Sequence, residues 1–255
     1  MKIIDTHTHL YLKQFKDDID KVIQRSIDKG INKFIFPAID STHFDDMHSL
    51  KGKYPECIFL MSGLHPTDVK ENYKDELEFV VNSLKTQDYV AIGEIGIDLY
   101  WDKTYLKQQQ EAFEFQIRLA IKHDLPIVIH CRDAFDEIFE ILDKENCDKL
   151  RGVFHCFTGT LEQAKRAIDL GFVLGIGGVV TFKNGGIDKF LNQIDLKYIV
   201  LETDSPYLAP VPYRGKRNES SYIMYVVEKL SEIYGLSKEE IADITTKNAE
   251  KVFAL

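Results

Sequence analysis

The chain has 255 residues with 44% hydrophobic and 29% charged positions, and its net charge is −9. This length is typical of one α/β barrel, and the acidic balance argues against broad, sequence-independent wrapping of nucleic acid. No segment approaches the roughly 20 apolar residues that span a bilayer, and no secretory signature is seen. The four cysteines form no C-x-x-C pair. We therefore expect a single domain over residues 1–255 in a cytoplasmic protein with reduced thiols and no membrane association.

Apolar runs of strand length alternate with helical patterns along the whole chain. The predicted strands cover residues 2–8, 32–39, 57–64, 89–95, 126–130, 152–157, 172–177 and 198–202. The predicted helices cover about 15–29, 74–85, 106–123, 161–170, 187–194, 222–234 and 238–253, and two more begin at Ser41 and at Arg132-Asp133. Ser237 caps the last helix, with Glu240 at the capping-box position.

The predicted strands are continuous apolar runs and lack a period-2 alternation, which indicates a parallel sheet covered by helices. Eight such units without a break in composition favour a (β/α)8 TIM barrel with an additional C-terminal helix. A doubly wound open sheet is the alternative fold. That fold would carry a phosphate-binding loop after its first strand, and the sequence has none there.

Residue types that bind metals stand at the ends of most predicted strands. His7 and His9 form a His-x-His pair on an extended strand, which points both imidazoles to one face. Such a pair alone would also fit ordinary surface or capping histidines. The other strand ends carry His65, Glu94, His130, His155 and Asp204. In a barrel these ends converge on one face, where the active sites of such barrels lie.

All of these residues except His65 are candidate ligands. Six ligands are more than one catalytic zinc ion binds, because such an ion keeps one coordination position open. We therefore predict two divalent ions that share Glu94, because a carboxylate has two oxygens to offer. The remaining ligands are His7, His9 and Asp204 on one ion and His130 and His155 on the other. The mixed donor set suits zinc, manganese or similar ions, and magnesium less well. Two such ions favour hydrolysis of a phosphoester or of an amide or ester.

A basic loop follows the eighth predicted strand. Arg214, Lys216 and Arg217 place three cations within four positions of an otherwise acidic chain. Guanidinium groups pair well with phosphate, so the loop is a candidate anion site, although a solvated surface loop is the alternative. Tyr100, Trp101 and Tyr207 lie in loops on the same face, where they could stack on bases or simply pack against the protein.

The chain resembles the TatD-type metal-dependent deoxyribonucleases, within the amidohydrolase-like superfamily of TIM barrels, over nearly its whole length. The motifs that carry this resemblance are Asp5-Thr6-His7-Thr8-His9, Gly63-Leu64-His65-Pro66, Gly93-Glu94-Ile95-Gly96-Ile97-Asp98, His130-Cys131-Arg132-Asp133, His155-Cys156-Phe157-Thr158-Gly159, Glu202-Thr203-Asp204-Ser205-Pro206-Tyr207-Leu208 and Arg214-Gly215-Lys216-Arg217-Asn218-Glu219. These short matches fall in the same order as the predicted strand ends.

The resemblance implies divalent-metal-dependent hydrolysis of DNA, often from a 3′ end, by the same six ligands. It also implies that His65 and Asp98 line the substrate side of the pocket. DNA is the expected substrate, with RNA or tRNA as further possibilities, and no obligate protein partner is evident. Some relatives in this family hydrolyse other bonds, including the ester of D-aminoacyl-tRNA.

The working hypothesis is a two-metal hydrolase in which Glu94 and Asp204 are the catalytic residues. Asp204 accepts the proton of the attacking water, while His65 and the three cations of the basic loop hold the phosphate. One alternative is an ester or amide hydrolase on the same metals, such as a D-aminoacyl-tRNA deacylase. Another is a non-catalytic barrel that binds nucleic acid, which the six-residue ligand set disfavours.

Overall fold

The structure, a computed structural model, describes residues 1–255 and contains eight parallel strands in one sheet. The strands are β1 (Ile3–Asp5), β2 (Ile31–Phe36), β3 (Ile58–Ser62), β4 (Ala91–Asp98), β5 (Ile127–Arg132), β6 (Gly152–Phe154), β7 (Phe172–Ile176) and β8 (Ile199–Leu201). Each strand pairs with the next one in the chain, so the spatial order is the sequence order. This order rules out the doubly wound alternative, in which the strand order reverses.

Backbone hydrogen bonds beyond the ends of β1 and β8 bring the two edges of the sheet together. Thr6 N–H donates to Leu201 O at 3.0 Å, Asp204 N–H donates to His7 O at 2.9 Å, and His9 N–H donates to Ser205 O at 2.8 Å. The predicted TIM barrel is therefore confirmed. The same hydrogen bonds hold the His-x-His pair against the segment that carries Asp204.

The eight α-helices lie around the outside of the barrel, and the last of them closes one end of it. They are α1 (Ile19–Asp28), α2 (Phe44–Lys53), α3 (Tyr73–Thr86), α4 (Leu106–His123), α5 (Phe135–Glu145), α6 (Leu161–Asp169), α7 (Ile223–Tyr234) and α8 (Lys238–Phe253). None of them is both long enough and apolar enough to cross a membrane. The capping box of Ser237 and Glu240 is present at the start of α8.

Three of the predicted helix positions are wrong. The segment 187–194 forms two separate 3-10 turns, Ile187–Lys189 and Leu191–Gln193. An eight-residue helix makes too few hydrogen bonds to offset the free-energy cost of helix nucleation. Asp40, in place of Ser41, caps the 3-10 turn that precedes α2, by accepting the Thr42 N–H. Helix α5 begins only at Phe135, because β5 continues to Arg132 in register with Asp98 of β4.

The interior of the barrel is filled by aliphatic side chains from alternating strand positions. The buried cluster inside the barrel contains Ile4, Ile35, Met61, Ala91, Val128, Val153, Val200, Ala249 and Phe253. The last two belong to α8, so the additional C-terminal helix packs its apolar face against the core of the barrel. Burial of a side chain such as Phe253 contributes about 2 kcal/mol relative to exposure. The opposite mouth of the barrel is left for polar side chains.

Two buried glutamines of α4 hold the segments that carry candidate site residues. Gln116 accepts the Leu64 N–H at 2.7 Å and donates to Leu64 O at 3.3 Å. Gln109 makes the same pair of contacts with the Asp98 backbone, at 2.9 and 3.3 Å. These amides satisfy backbone groups that the sheet leaves unpaired. They thereby position Asp98 and, next to Leu64, His65.

Candidate metal centre

Glu94 lies inside β4, whereas the sequence placed it at the end of a strand. The pairing of β4 with β5 shifts between Gly93 and Ile95, so Glu94 is the extra residue of a β-bulge. Bulges next to functional sites re-aim a side chain. Here the Glu94 carboxylate is almost fully buried. The ladder continues to Asp98 and Arg132, which explains why the strand is longer than predicted.

Five histidines surround the two oxygens of Glu94. Oε2 lies 3.1 Å from His7 Nε2 and 3.8 Å from His9 Nε2. Oε1 lies 2.8 Å from His130 Nδ1, 3.5 Å from His65 Nε2 and 3.5 Å from His155 Nε2. On the side of Oε2, Asp204 Oδ1 lies 3.9 Å from His7 Nε2 and 3.6 Å from His9 Nε2. The fold thus brings together all six predicted ligands, and His65 with them.

Tyr11 determines which nitrogen of His9 faces the centre. The Tyr11 hydroxyl donates to Pro37 O at 2.7 Å and lies 2.7 Å from His9 Nδ1. Since its proton is committed to the carbonyl, the hydroxyl accepts from His9 Nδ1–H. The Nε2 atom of a neutral His9 is then left with a free lone pair, as a metal ligand requires.

Carboxylates lie beside two further histidines. His130 Nε2 lies 2.8 Å from Asp98 Oδ2, and His155 Nδ1 lies 3.0 Å from Glu202 Oε1. Such carboxylate–histidine pairs direct the other ring nitrogen toward a metal and raise its basicity. No motif in the sequence assigned such a role to Tyr11 or Glu202. Glu202 ends the apolar run of the eighth predicted strand, and a glutamate in such a run is buried and needs a partner, which was the signal available for it.

His65 has a different hydrogen-bond pattern. Its Nδ1 lies 2.7 Å from the Thr67 hydroxyl and 3.2 Å from the Thr67 backbone nitrogen, so Thr67 holds the ring with Nε2 turned toward the centre. That atom faces Glu94 Oε1 and the cavity. His65, Glu94 and His130 are close enough to share an ion.

The charges of the centre are strongly coupled. Burial opposes ionisation of Glu94, but the imidazoles of His155, His7 and His65 outweigh it and hold the pKa of this carboxyl well below its usual range. Burial also opposes charging of His155, but the carboxylates of Glu202 and Glu94 raise the pKa of His155 to about 10. Burial and the neighbouring His155 lower the pKa of His7. His7 is therefore neutral near pH 7, the form that binds a metal.

The residues present fit a divalent cation. Neither ring nitrogen of His7 has a hydrogen-bond partner, although the residue is fully buried. A buried polar group without a partner costs about 1–3 kcal/mol and is uncommon. His7 Nε2 lies among two carboxylates and two further imidazoles, which is the donor set that zinc or manganese takes up.

Two cavities meet at this centre. One, of about 790 Å3, is lined by His65, Glu94, Asp98, Trp101, Arg132 and Tyr207 among others. The second, of about 770 Å3, lies on the other side of His130, Arg132, His155 and Asp204. A substrate chain could therefore pass over the centre with one part in each cavity. Arg132, to which the sequence analysis assigned no role, lines both.

The basic loop lies outside both cavities. Arg217 forms a bidentate pair with Asp18, with both N–O distances 2.8 Å, and also donates to Gln14 O. The Arg214 guanidinium lies 3.6 Å from the centroid of the Phe182 ring, beside a separate depression. Lys216 is exposed. The structure therefore brings none of the three cations into contact with the predicted metal ligands.

The chain is similar to known proteins over its full length. The pattern of the family described as TatD related DNase matches residues 4–254. The chain is 37% identical over 254 residues to YabD of Bacillus subtilis, an uncharacterized metal-dependent hydrolase, with 99% of both chains covered. It is 32% identical to the 3′-5′ ssDNA/RNA exonuclease TatD of Citrobacter rodentium, with 99% of this chain and 98% of the other covered. The crystal structure of YJJV, a TatD homologue from Escherichia coli K12, superposes with a TM-score of 0.93 at 29% identity and covers 99% of this chain and 98% of the other.

Proposed function

Because the chain belongs to the TatD family of metal-dependent hydrolases, we propose that it is a deoxyribonuclease that removes nucleotides from the 3′ end of DNA with two divalent ions. The observation that carries this proposal is the arrangement around Glu94. Its Oε2 faces His7 and His9, and its Oε1 faces His130 and His155. The printed name of the Citrobacter relative supports a single-stranded nucleic acid as the substrate.

In this proposal Glu94 would contribute to the sites of both ions. His7, His9 and Asp204 would hold one ion, and His130 and His155 would hold the other. Divalent ions bound there supply Lewis acidity, which lowers the pKa of water and offsets negative charge on phosphate oxygens. Zinc, manganese and magnesium are the ions to test.

The side chains of the protein position the phosphate and move the protons. Asp204 reaches both cavities and accepts the proton of the attacking water. The water oxygen bonds to phosphorus, the bond from phosphorus to the 3′ oxygen breaks, and that oxygen takes up a proton. His65 donates from Nε2 to a phosphate oxygen, where negative charge develops.

The basic loop has a supporting role in the proposal. Arg214 and Lys216 provide positive charge for phosphates farther along the strand. Arg217 anchors the loop to the start of α1 through its pair with Asp18. Because these contacts lie away from the scissile bond, they affect affinity for long substrates more than the rate of cleavage.

The proposal is tested with metal-free protein and 5′-labelled single-stranded DNA, to which Mg²⁺, Mn²⁺ or Zn²⁺ is added. We expect a ladder that shortens from the 3′ end with at least one ion. Glu94→Gln should abolish it, whereas Glu140→Gln, which changes an exposed glutamate of α5, should not. Asp204→Asn should still bind two ions and lose about 10²–10⁴-fold in kcat, which is the usual contribution of a general base.

Absence of DNA cleavage with every ion, despite two bound ions per chain, would contradict the nuclease proposal. A parallel assay on D-aminoacyl-tRNA would then show whether the same centre hydrolyses an ester. Near-normal turnover of Asp204→Asn would remove this residue from the proton-transfer role and leave the two-metal site in place.

A further inference from the structure

Two adjacent aromatic side chains are exposed at the rim of the metal cavity. Tyr100 is 55% exposed and Trp101 is 69% exposed, and Trp101 is the only tryptophan in the chain. The rings meet edge to face with centroids 4.9 Å apart. Exposed aromatic side chains that lie together at a cleft are typical of contact surfaces.

A cation covers one side of this pair. The Arg132 guanidinium lies 4.0 Å from the centroid of the Tyr100 ring and 5.5 Å from that of Trp101. Arg132 and Trp101 also line the cavity that contains Glu94. The three side chains therefore present flat π surfaces and a positive charge beside a centre suited to phosphate chemistry.

Asp98 ties these aromatic residues to the metal centre. Its Oδ1 accepts the backbone N–H groups of Tyr100 at 3.0 Å and Trp101 at 3.1 Å. Its Oδ2 lies 2.8 Å from His130 Nε2. One buried carboxylate thus fixes both the loop and a candidate ligand, so a group stacked on the loop is held at a defined place relative to the centre.

We propose that Tyr100, Trp101 and Arg132 form a base platform, on which an unpaired base next to the scissile phosphate stacks while Arg132 faces the phosphate. This inference rests on the proposed nuclease function and adds the residues that select the substrate. A base within a duplex has both faces covered and its edge paired, so it must be unstacked before it can reach the platform. The platform therefore favours single-stranded ends over paired ones.

The single tryptophan reports directly on the platform. With metals removed by EDTA, no cleavage occurs and the fluorescence of Trp101 can be titrated with oligo-dT. We expect oligo-dT to quench the fluorescence, and an abasic strand of equal length and charge to quench it much less. Equal quenching by both strands, or quenching by neither, overturns the proposal.

Substitutions at Trp101 distinguish a loss of base stacking from a general loss of activity. Trp101→Ala should lower kcat/KM on single-stranded DNA about tenfold or more, mainly through KM, since stacking on one aromatic ring is worth that much. The loss on a blunt duplex should be smaller, and Trp101→Phe should restore most of the activity. Phe115→Ala removes an exposed aromatic ring on α4 and is the matched control.

An equal loss on single-stranded and duplex DNA, or no loss on either, overturns the platform while leaving the nuclease function in place. If the wild-type chain cleaves no DNA at all, the nuclease proposal fails. The fluorescence titration then decides the platform by itself, because it requires binding only.

Discussion

At the scale of single residues, four of the five histidines around Glu94 have a neighbouring group at the ring nitrogen that faces away from it. The partners are Tyr11 for His9, Thr67 for His65, Asp98 for His130 and Glu202 for His155. These contacts constrain the direction of each ring, so metal affinity depends on residues that would not touch the metal.

Tyr11→Phe tests this dependence. The change keeps the ring but removes the hydroxyl that accepts from His9 Nδ1, so His9 loses its fixed orientation. We expect metal affinity to fall about 10–100-fold with the fold retained. Calorimetric titration with Mn²⁺ or Zn²⁺ measures it, and Tyr54→Phe, which loses a hydroxyl that bonds Asp20 at the surface, is the control. Unchanged affinity would show that His9 is held by packing alone.

Gly175 is a second position at which a small change should disturb the centre, because one added carbon atom would collide with Glu202. A Cβ there would lie 2.2 Å from Glu202 Oε2, and Glu202 has no room to move because it is fully buried. Gly175→Ala should therefore displace Glu202 from His155, with loss of both activity and thermal stability. Gly52→Ala in α2 meets no atom within 4 Å and should raise stability by up to about 1 kcal/mol. Similar melting temperatures for the two variants would contradict this account of Gly175.

At the scale of elements, the loop after β8 is fastened to α1 by two ion pairs. Arg217 pairs with Asp18, and Arg25 pairs with Glu219 at 2.7 Å. Hydrogen bonds from Arg217 lower the pKa of Asp18. Burial opposes ionisation of Glu219, but Arg25 outweighs it and lowers the pKa of Glu219 as well. The basic loop is thus held at its base, while Arg214 and Lys216 remain toward its tip.

These lowered pKa values predict an acid-dependent stability. Because each carboxylate has a lower pKa in the folded chain, its stabilisation is present above the unfolded value of about 4 and is lost as the pH falls through the folded value. Arg217→Gln should cost about 1 kcal/mol or less at pH 7, since the pair is partly exposed, and almost nothing at pH 2. Thermal unfolding at both pH values measures the difference. An equal cost at both would assign the effect to packing over Phe15 instead.

At the scale of the whole molecule, α8 closes one end of the barrel and the candidate metal centre occupies the other. Phe253→Ala should lower the free energy of unfolding by about 3–5 kcal/mol, because it opens a cavity in the interior cluster. The folded fraction of the Phe253→Ala variant should keep the metal affinity of the wild-type chain, since Phe253 contacts none of the candidate ligands. Urea unfolding and metal titration of the same samples separate the two effects, with Phe115→Ala as the exposed control. Weakened metal binding in folded Phe253→Ala would mean that the two ends are coupled.

Outside the segment 187–194, local sequence was sufficient for the order of strands and helices, because hydrophobic periodicity and capping are set by near neighbours. The bounds of α4 and α8 and the capping box at Ser237 agree with the structure for this reason. The position of Glu94 in a bulge was not predictable, since a bulge is a mismatch between two strands that are separated in sequence.

Tertiary structure alone decided which polar groups meet. The sequence predicted that Arg217 is a cation free to bind phosphate. In the fold it pairs with Asp18, which lies 199 positions away in the chain. The same holds for Tyr11 with Pro37 and for Glu202 with His155. The convergence of the six predicted ligands could be predicted from sequence because every strand of a parallel barrel delivers its end to one face, whatever its partners. The partners themselves depend on side-chain geometry across the closed barrel, which no local pattern encodes.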